Sequence, residues 1–264
     1  MINRAITLAC LAQMLTLAGP SRAVPWTATY EFHVAGLRVL EAEVTFDVDG
    51  PQYRLETRSR SRGVVSIFAR SEQTSSITGR WMGDTPRPQR YRLQGTFRGQ
   101  PRLAEMDFGP DGALRIGQLL PSNASESRED IPREHLPGAI DVLSAVAQLS
   151  RIVAQTHRCE ASARLYDARR LTQVQVRTIR AEEVPNLWGE GMQGMSLRCE
   201  LESVLLAGWR TDQDIDRARQ PVVTTVWIAR PVEQAPPVPL RLELTTRWYG
   251  RVHGVLTRIE RAGP

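Results

Sequence analysis

The sequence predicts a mainly β protein: a curved antiparallel sheet or open (half) β-barrel with one packed α-helix near residues 141–156. Three observations lead to this fold class. Apolar and polar residues alternate with period two along much of the chain, turn-forming residues separate the alternating segments, and one segment has helical periodicity. Half-polar strands with short turns are typical of antiparallel sheets, and strand twist makes a long sheet curl.

The alternation is clearest along Leu40–Asp49, where apolar residues take every second position, so one face lies in a core and the other in water. Met195–Ser203 and Leu240–Trp248 repeat the pattern. Ten further segments have strand composition: Thr27–Val34, Gln52–Arg60, Thr74–Gly79, Gln89–Phe97, Leu103–Phe108, Ala113–Leu119, Ala161–Tyr166, Leu171–Ile179, Thr224–Ile228 and Val255–Glu260.

The predicted helix begins after Asp141, whose carboxylate can cap the first turn. Its apolar residues recur at spacings of three and four, as on one face of a helix: Val142, Leu143, Val146, Leu149, Ile152 and Val153. Pro137-Gly138 interrupts the chain just before it. Loops are predicted at 121–138, 181–194, 212–220 and 231–239.

The first 23 residues have the form of a secretory signal peptide: Arg4, the apolar run Ile6–Gly19, and a small-x-small cleavage site at Ser21-Arg22-Ala23. The run is too short to span a membrane, and no other segment approaches the roughly 18 apolar residues needed. We therefore expect residues 1–23 to be removed. Residues 24–264 would form a single β domain in the periplasm, with no transmembrane segment after cleavage.

In an exported chain, an even number of cysteines predicts disulfide pairing. Cys10 leaves with the signal peptide, and the remaining pair, Cys159 and Cys199, predicts a disulfide. The bridge would close a loop of about 40 residues, worth roughly 4 kcal/mol by chain entropy. Two free thiols are the alternative; a metal site would need more ligands at close spacing, and a catalytic thiol would need an activated cysteine.

The net charge of +5 falls to about +3 once Arg4 and Arg22 are removed, which argues against nucleic acid as a partner. Six arginines cluster in the sequence: Arg80, Arg87, Arg90, Arg92, Arg98 and Arg102. We interpret them as a solvated strand face, with contact to an anionic surface such as lipid headgroups as the alternative.

Catalytic and metal-binding motifs are missing from the sequence. The four histidines do not have metal-ligand spacing, and neither a Gly-x-Ser-x-Gly elbow nor a phosphate-binding loop occurs. Ser144 has no base nearby in the sequence. Glu41 and Glu43 share a strand face that we expect to be solvated. The sequence therefore predicts no catalytic residue, no cofactor, no metal and no enzymatic activity.

Aromatic residues are distributed over several strands. If the sheet curls, five of them are candidates for an apolar ligand face on its concave side: Trp81, Tyr91, Phe97, Trp227 and Trp248. A curved sheet with an apolar inner face, partly covered by a helix, is a natural site for a hydrophobic molecule or lipid. The alternative is that these side chains fill the core.

The order of several motifs resembles the DUF3108 family, bacterial exported domains of unknown function. The stretch that carries most of the resemblance is Leu136–Ala145, and the others are Tyr30–Leu37, Tyr53–Gly79, Pro88–Tyr91, Cys159, Leu165–Arg170, Cys199, Val226–Ile228 and Pro239–Glu243. One departure is Ala168, at a turn position where the family tends to have Gly. The resemblance covers nearly all of Thr27–Thr257 and transfers no catalytic residue.

These observations favour one function and leave two alternatives. The leading hypothesis is non-catalytic binding of a hydrophobic or lipid-like ligand in the cell envelope. An envelope protein-interaction or scaffolding module would instead present an exposed strand edge or apolar patch. An envelope hydrolase would need titratable groups that only the fold brings together.

Overall fold

The computed structural model describes residues 24–186, 191–246 and 250–263. The predicted signal peptide, residues 1–23, lies outside the described residues, as does Trp248. Within the described ranges, no helix has both the length and the apolar character needed to cross a membrane.

The described residues form a thirteen-stranded antiparallel sheet, which confirms the predicted fold class. The strands are β1 Trp26–Val34, β2 Leu37–Asp47, β3 Gln52–Ser61, β4 Ser71–Met82, β5 Thr85–Phe97, β6 Gln100–Phe108, β7 Leu114–Leu120, β8 Ala161–Tyr166, β9 Leu171–Glu183, β10 Met195–Ala207, β11 Val222–Ala229, β12 Val238–Thr246 and β13 Gly250–Arg261.

Strands that are neighbours in sequence pair with each other, except β7 and β8, and β1 also pairs with β13. The spatial order is β7-β6-β5-β4-β3-β2-β1-β13-β12-β11-β10-β9-β8, and within the described residues the edge strands β7 and β8 do not pair with each other. The described residues also form three α-helices, α1 Val65–Phe68, α2 Val142–Thr156 and α3 Ile215–Ala218, and two single-turn 3-10 helices, Ala124–Glu126 and Arg133–His135. The sequence predicted α2 but neither of the four-residue helices.

The sheet curves around α2. This helix contacts β3, β4 and β5 in one half of the sheet and also the opposite edge strand β8. Strands lie about 4.8 Å apart, so in a flat sheet the ten spacings between β5 and β8 would separate them by roughly 48 Å. A helix only about 10 Å across reaches both because the sheet curls into an open barrel.

Three buried polar side chains fix the start of α2 to the sheet. Asp141 caps the helix, accepting from the Ser144 backbone N–H at 3.0 Å and from Ser144 Oγ at 2.5 Å. The Tyr53 hydroxyl of β3 lies 2.8 Å from Ser144 Oγ and donates to it. Burial raises the pKa of the Asp141 carboxyl, while the Ser144 hydrogen bonds oppose that rise. These contacts are structural, since all three side chains are packed in the core.

The far end of α2 is fixed by the predicted bridge. Cys159 and Cys199 form a disulfide with Cα atoms 6.2 Å apart, and both side chains are fully buried. They pack with Val153 of α2 and Val226 of β11 in a small apolar cluster. The bridge thus ties the segment after the helix to β10.

The chain between β7 and α2 crosses the gap that the unpaired sheet edges leave. Ile140 makes an isolated parallel bridge with Leu165 of β8, and Arg128 bridges to Arg210. Leu136 and Tyr166 are buried together in the main core cluster. The apolar interior is therefore covered at this seam without a closed hydrogen-bonded barrel.

Candidate functional site

The two ends of the curved sheet differ. Because antiparallel strands alternate in direction, the β1–β2, β3–β4 and β5–β6 connections share one end, and the β4–β5 and β11–β12 connections share the other. The helix α2 covers the second end: Arg151 and Gln155 donate to Asp84 of the β4–β5 turn at 3.1 and 2.9 Å, and Ser150 donates to the Pro237 carbonyl at 2.6 Å. We call the end that carries the β1–β2, β3–β4 and β5–β6 connections the distal end.

A groove of about 610 Å³ lies at the distal end. Nine of its fourteen lining residues are apolar: Val34, Val39, Leu40, Val64, Val65, Phe68, Ala69, Phe97 and Val252. The other five are Ser59, Ser61, Ser71, Gln73 and Arg98. Small-molecule sites commonly have volumes of roughly 300–1,000 Å³ and mostly apolar walls with a few polar groups. The groove has this character.

Strand register builds the groove. Residues opposite each other in an antiparallel pair point to the same face of the sheet. Four such pairs bring the lining side chains together: Val34–Val252, Leu40–Ser61, Ser59–Gln73 and Ser71–Phe97. The floor of the groove therefore comes from five neighbouring strands, β13 and β1–β4, with β5 as its further wall.

A polar stripe runs across this floor on β3 and β4. The Ser71 backbone N–H donates to Ser61 Oγ at 2.9 Å, and Gln73 Nε2 donates to Ser71 Oγ at 3.3 Å. Each hydroxyl oxygen keeps capacity for a further hydrogen bond. The stripe could orient a polar group of an otherwise apolar ligand.

The short helix α1 borders the groove. Val65 and Phe68 line it, yet Phe68 is 77% exposed and its neighbour Ile67 is 75% exposed. The turn that leads into α1 needs Gly63, which has φ +56° and whose Cβ position would lie 2.7 Å from the Arg38 carbonyl oxygen. A close backbone contact between the β3–β4 and β1–β2 connections thus holds α1 at the distal end.

Positive charge lies at the mouth of the groove. The guanidinium groups of Arg98 and Arg102 both lie 5.4 Å from the centre of the Phe97 ring, a cation–π distance. Arg98 is exposed and lines the groove, whereas Arg102 is also paired with Glu126. The site therefore combines an apolar wall with an accessible cation.

The structure places four of the five aromatic residues of the expected ligand face, and they lie in different surroundings. Phe97 borders the groove. Tyr91 is buried in the core, and Trp81 lies at the helix end, 4.8 Å from the Tyr53 ring and beneath the Arg151 guanidinium at 4.7 Å. Trp248 is outside the described residues.

Trp227 is buried in the main core cluster and does not line the groove, and it lies on the face of the sheet away from α2. Its neighbour Val226 packs against the α2 residue Val153, and adjacent strand residues point to opposite faces. The Trp227 indole instead donates to Glu182 at 2.8 Å, with Arg198 and Arg241 about 6 Å from its ring centre. Trp227 and Phe97 therefore do not share a ligand face.

Most of the groove was missed by the sequence analysis because its floor is polar and its walls come from distant segments. The available signal was alternation: Ser59, Ser61, Ser71 and Gln73 continue the inward faces of β3 and β4 that hold Leu55 and Ile77 deeper in the core. The run Val64–Phe68, apolar apart from Ser66, was a second signal.

The six clustered arginines do not form one surface. Arg90 and Arg92 pair with Asp107 at 3.0 and 3.4 Å on the solvated face, as expected for an ordinary strand surface. Arg98 alone among the six lines the groove, while Arg80 and Arg87 border a different cavity near the other end of the sheet.

Glu41 directly follows Leu40, one of the residues that line the groove. Hydrogen bonds from Arg62 and Arg60 lower the pKa of Glu41 to about 2, so this carboxylate is a fixed anion and not a proton-transfer group. In the described ranges, no group of three or more His, Cys, Asp and Glu is arranged to hold a metal ion.

Two other cavities have different linings. One of about 490 Å³ is lined by turn residues such as Pro110 and Gly112 together with Arg80 and Arg87. Another, of about 620 Å³, lies between β7 and the crossing segment and contains Arg115, Asp130 and Arg133. Each of these cavities has three charged side chains in its lining, whereas the distal groove has one, so the groove is the stronger candidate for an apolar ligand.

Comparisons with known proteins give one family and two structures. A family model described as a protein of unknown function, DUF3108, matches residues 29–257. A β-barrel-like protein of the domain of unknown function DUF1849 from Brucella abortus is similar in structure, with a TM-score of 0.53 and 11% identity over 92% of this chain and 100% of that one. At this identity the likeness concerns the fold alone.

A second structure is a protein provisionally described as a lipoprotein from Parabacteroides distasonis, with a TM-score of 0.33 and 9% identity over 90% of this chain and 96% of that one. This likeness is too distant to support an argument. No curated protein matches the chain.

Proposed function

We propose that this chain, which belongs to the DUF3108 family of proteins of unknown function, binds a hydrophobic or lipid-like molecule in its distal groove. Binding is non-catalytic, and the protein acts in the periplasm after the N-terminal 23 residues are removed. The observation that carries the proposal is the groove itself: about 610 Å³, with a mostly apolar wall formed by the open end of a curved sheet.

The chemistry of the lining supports an amphiphilic ligand. The apolar residues contact a hydrocarbon chain, and transfer of apolar surface from water into such a site contributes roughly 25 cal/mol per Å². Arg98 at the mouth attracts an anionic head group, and the Ser61–Ser71 stripe provides hydrogen bonds for ester or hydroxyl oxygens. An anionic lipid has all of these features, and a fatty acid has the hydrocarbon chain and the anionic head group.

The test uses the protein without its first 23 residues and a fluorescent fatty-acid analogue in solution. Ser59→Trp fills the groove from its floor, and Ser162→Trp is the matched control, because Ser162 is an exposed strand residue outside the groove. We expect Ser59→Trp to weaken probe binding at least tenfold, with Ser162→Trp equal to wild type. Equal binding by all three proteins would contradict the proposal.

The role of Arg98 is tested with a pair of ligands that differ only in charge. Arg98→Gln should weaken binding of a long-chain fatty acid while leaving the fatty alcohol of the same length unaffected. If both ligands bind the variant as they bind wild type, the head group does not contact Arg98.

A protein-interaction module is the second candidate, and the exposed edge strand β7 favours it. The unpaired side of β7 presents backbone groups that another strand could join, and Ile116 in this strand is 44% exposed. A photo-crosslinking residue at position 116 in living cells should capture a specific protein if this candidate is right. Labelling no greater than that from position 54 on the solvated face of β3 would argue against it.

A further inference from the structure

Beyond ligand binding, we infer that the distal end docks on an anionic lipid bilayer, with Leu37 and Ile67 inserting between headgroups. This deepens the proposed function, since it names the surface from which an amphiphile would enter the groove. The docking surface consists of three connections, residues 35–38, 62–70 and 98–99, which we call the rim.

The rim has large apolar side chains that are exposed to solvent. Ile67 and Phe68 are 75% and 77% exposed, and Leu37 of the neighbouring hairpin is 59% exposed. The backbone at Gly63 abuts the Arg38 carbonyl, so the two segments that carry these side chains meet at the distal end. Large apolar side chains clustered at one end of a protein commonly mark a protein or membrane contact.

The rim is also positively charged, which favours an anionic membrane as the partner. The three rim segments contain four arginines and no acidic residue: Arg38, Arg62, Arg70 and Arg98. Arg38 and Arg62 are paired with Glu31 and Glu41. In the part of the chain that the structure describes, Arg70 and Arg98 have no ion pair with a carboxylate.

The rim and the groove share an opening. Phe68 belongs to both, and Arg98 lies at the mouth of the groove within the rim. A bilayer contacting the rim would therefore face the apolar wall directly, so an acyl chain could pass from membrane to groove without crossing water. Basic side chains are attracted to an anionic membrane, and insertion of the apolar side chains adds a hydrophobic contribution to binding.

The experiment measures flotation of the ligand-free protein, lacking residues 1–23, with phosphatidylglycerol vesicles and with phosphatidylcholine vesicles. We expect binding to the first, weakened by salt, and much less to the second. Leu37→Ser with Ile67→Ser should weaken vesicle binding at least tenfold. The control pair Met82→Ser with Met195→Ser, 54% and 62% exposed outside the rim, should leave it unchanged.

Two matched arginine variants isolate the electrostatic contribution to vesicle binding. Arg70→Gln should weaken binding to phosphatidylglycerol about fivefold, the change that corresponds to roughly 1 kcal/mol, whereas Arg230→Gln at the other end should have no effect. Flotation that is absent in wild type, or reduced equally by rim and control variants, overturns the inference.

Solution measurements separate this inference from the proposed function. Leu37 and Ile67 do not line the groove, so their serine variant should bind the fluorescent fatty acid as wild type does. If the serine variant loses vesicle binding but still binds the fatty acid, the result supports membrane docking by the rim. If the wild-type protein binds the fatty acid but no vesicles, membrane docking is overturned and the proposed function stands. A dimer in solution that disappears in the serine variant would identify a second copy of the chain as the occupant and overturn the membrane assignment.

Discussion

Removing the Cys159–Cys199 bridge should lower the free energy of unfolding by about 2–4 kcal/mol. The cysteines are 40 residues apart, and the enclosed segment contains β8 and β9. The chain-entropy relation for a loop of this length gives about 13 cal/mol/K, or roughly 4 kcal/mol at 25 °C. The lower value allows for structure that persists in the unfolded chain.

The structure also indicates where the effect is felt. The bridge joins the segment after α2 to β10. Among the described residues, the edge strand β8 pairs with β9 and makes one isolated bridge to Ile140. Without the bridge, β8 and the end of α2 are held by packing with Val153 and Val226 and by the Cys159 N–H donating to Thr178 Oγ1 at 2.8 Å. We expect hydrogen exchange in β8 to accelerate more than in β3.

The assay is urea unfolding, monitored by tryptophan fluorescence, of wild type with and without reductant and of the double variant Cys159→Ala/Cys199→Ala. Reduced wild type and the double variant should both unfold at lower urea than oxidised wild type. Identical midpoints for oxidised wild type and the double variant would refute the reasoning, because they would mean that the bridge neither forms nor constrains the unfolded chain.

Two further predictions concern stability. The pKa of Glu41 is lowered in the folded protein from its usual 4.5 to about 2 by Arg62 and Arg60, so its contribution to stability is full above about pH 4.5 and is lost as the pH falls towards 2. Acid titration of Glu41→Gln should therefore show a shallower loss of stability between pH 4.5 and 2 than wild type, and parallel curves would contradict this. Gly95→Ala should lower the free energy of unfolding by more than about 1 kcal/mol, because Gly95 has φ +154° and an added Cβ would collide with the Glu72 carbonyl oxygen. A melting temperature equal to that of wild type would show that the strands separate easily there.

The strands and the long helix could be predicted because each carries its own signal. Alternation marks β2 and β10 within single segments, and the Asp141 cap with its three-and-four spacing marks α2. Strand ends were less predictable: β4 and β5 extend three and four residues beyond the predicted starts at Thr74 and Gln89, through polar residues and prolines that backbone pairing tolerates at the ends of strands.

The ligand face could not be predicted from the sequence because it depends on how the strands associate. Alternation shows which residues share a face of one strand, but not which face becomes concave, so Trp227 and Phe97 could not be assigned to different faces. Register irregularities, such as the one between Thr78 and Gly79 in the β4–β5 pair, change the alternation further along a strand. The four-residue helix α1 was missed because Val65–Phe68 has β-branched and aromatic residues typical of strands.

The central claim is that the distal groove holds an apolar molecule, and native mass spectrometry tests it most directly. The mature protein would be purified from the periplasm of its own cells, weighed intact, and extracted with organic solvent for lipid analysis. We expect a stoichiometric lipid or fatty acid that is lost in Ser59→Trp and retained in Ser162→Trp. A protein that carries no ligand and takes up none from a lipid extract would contradict the proposed function.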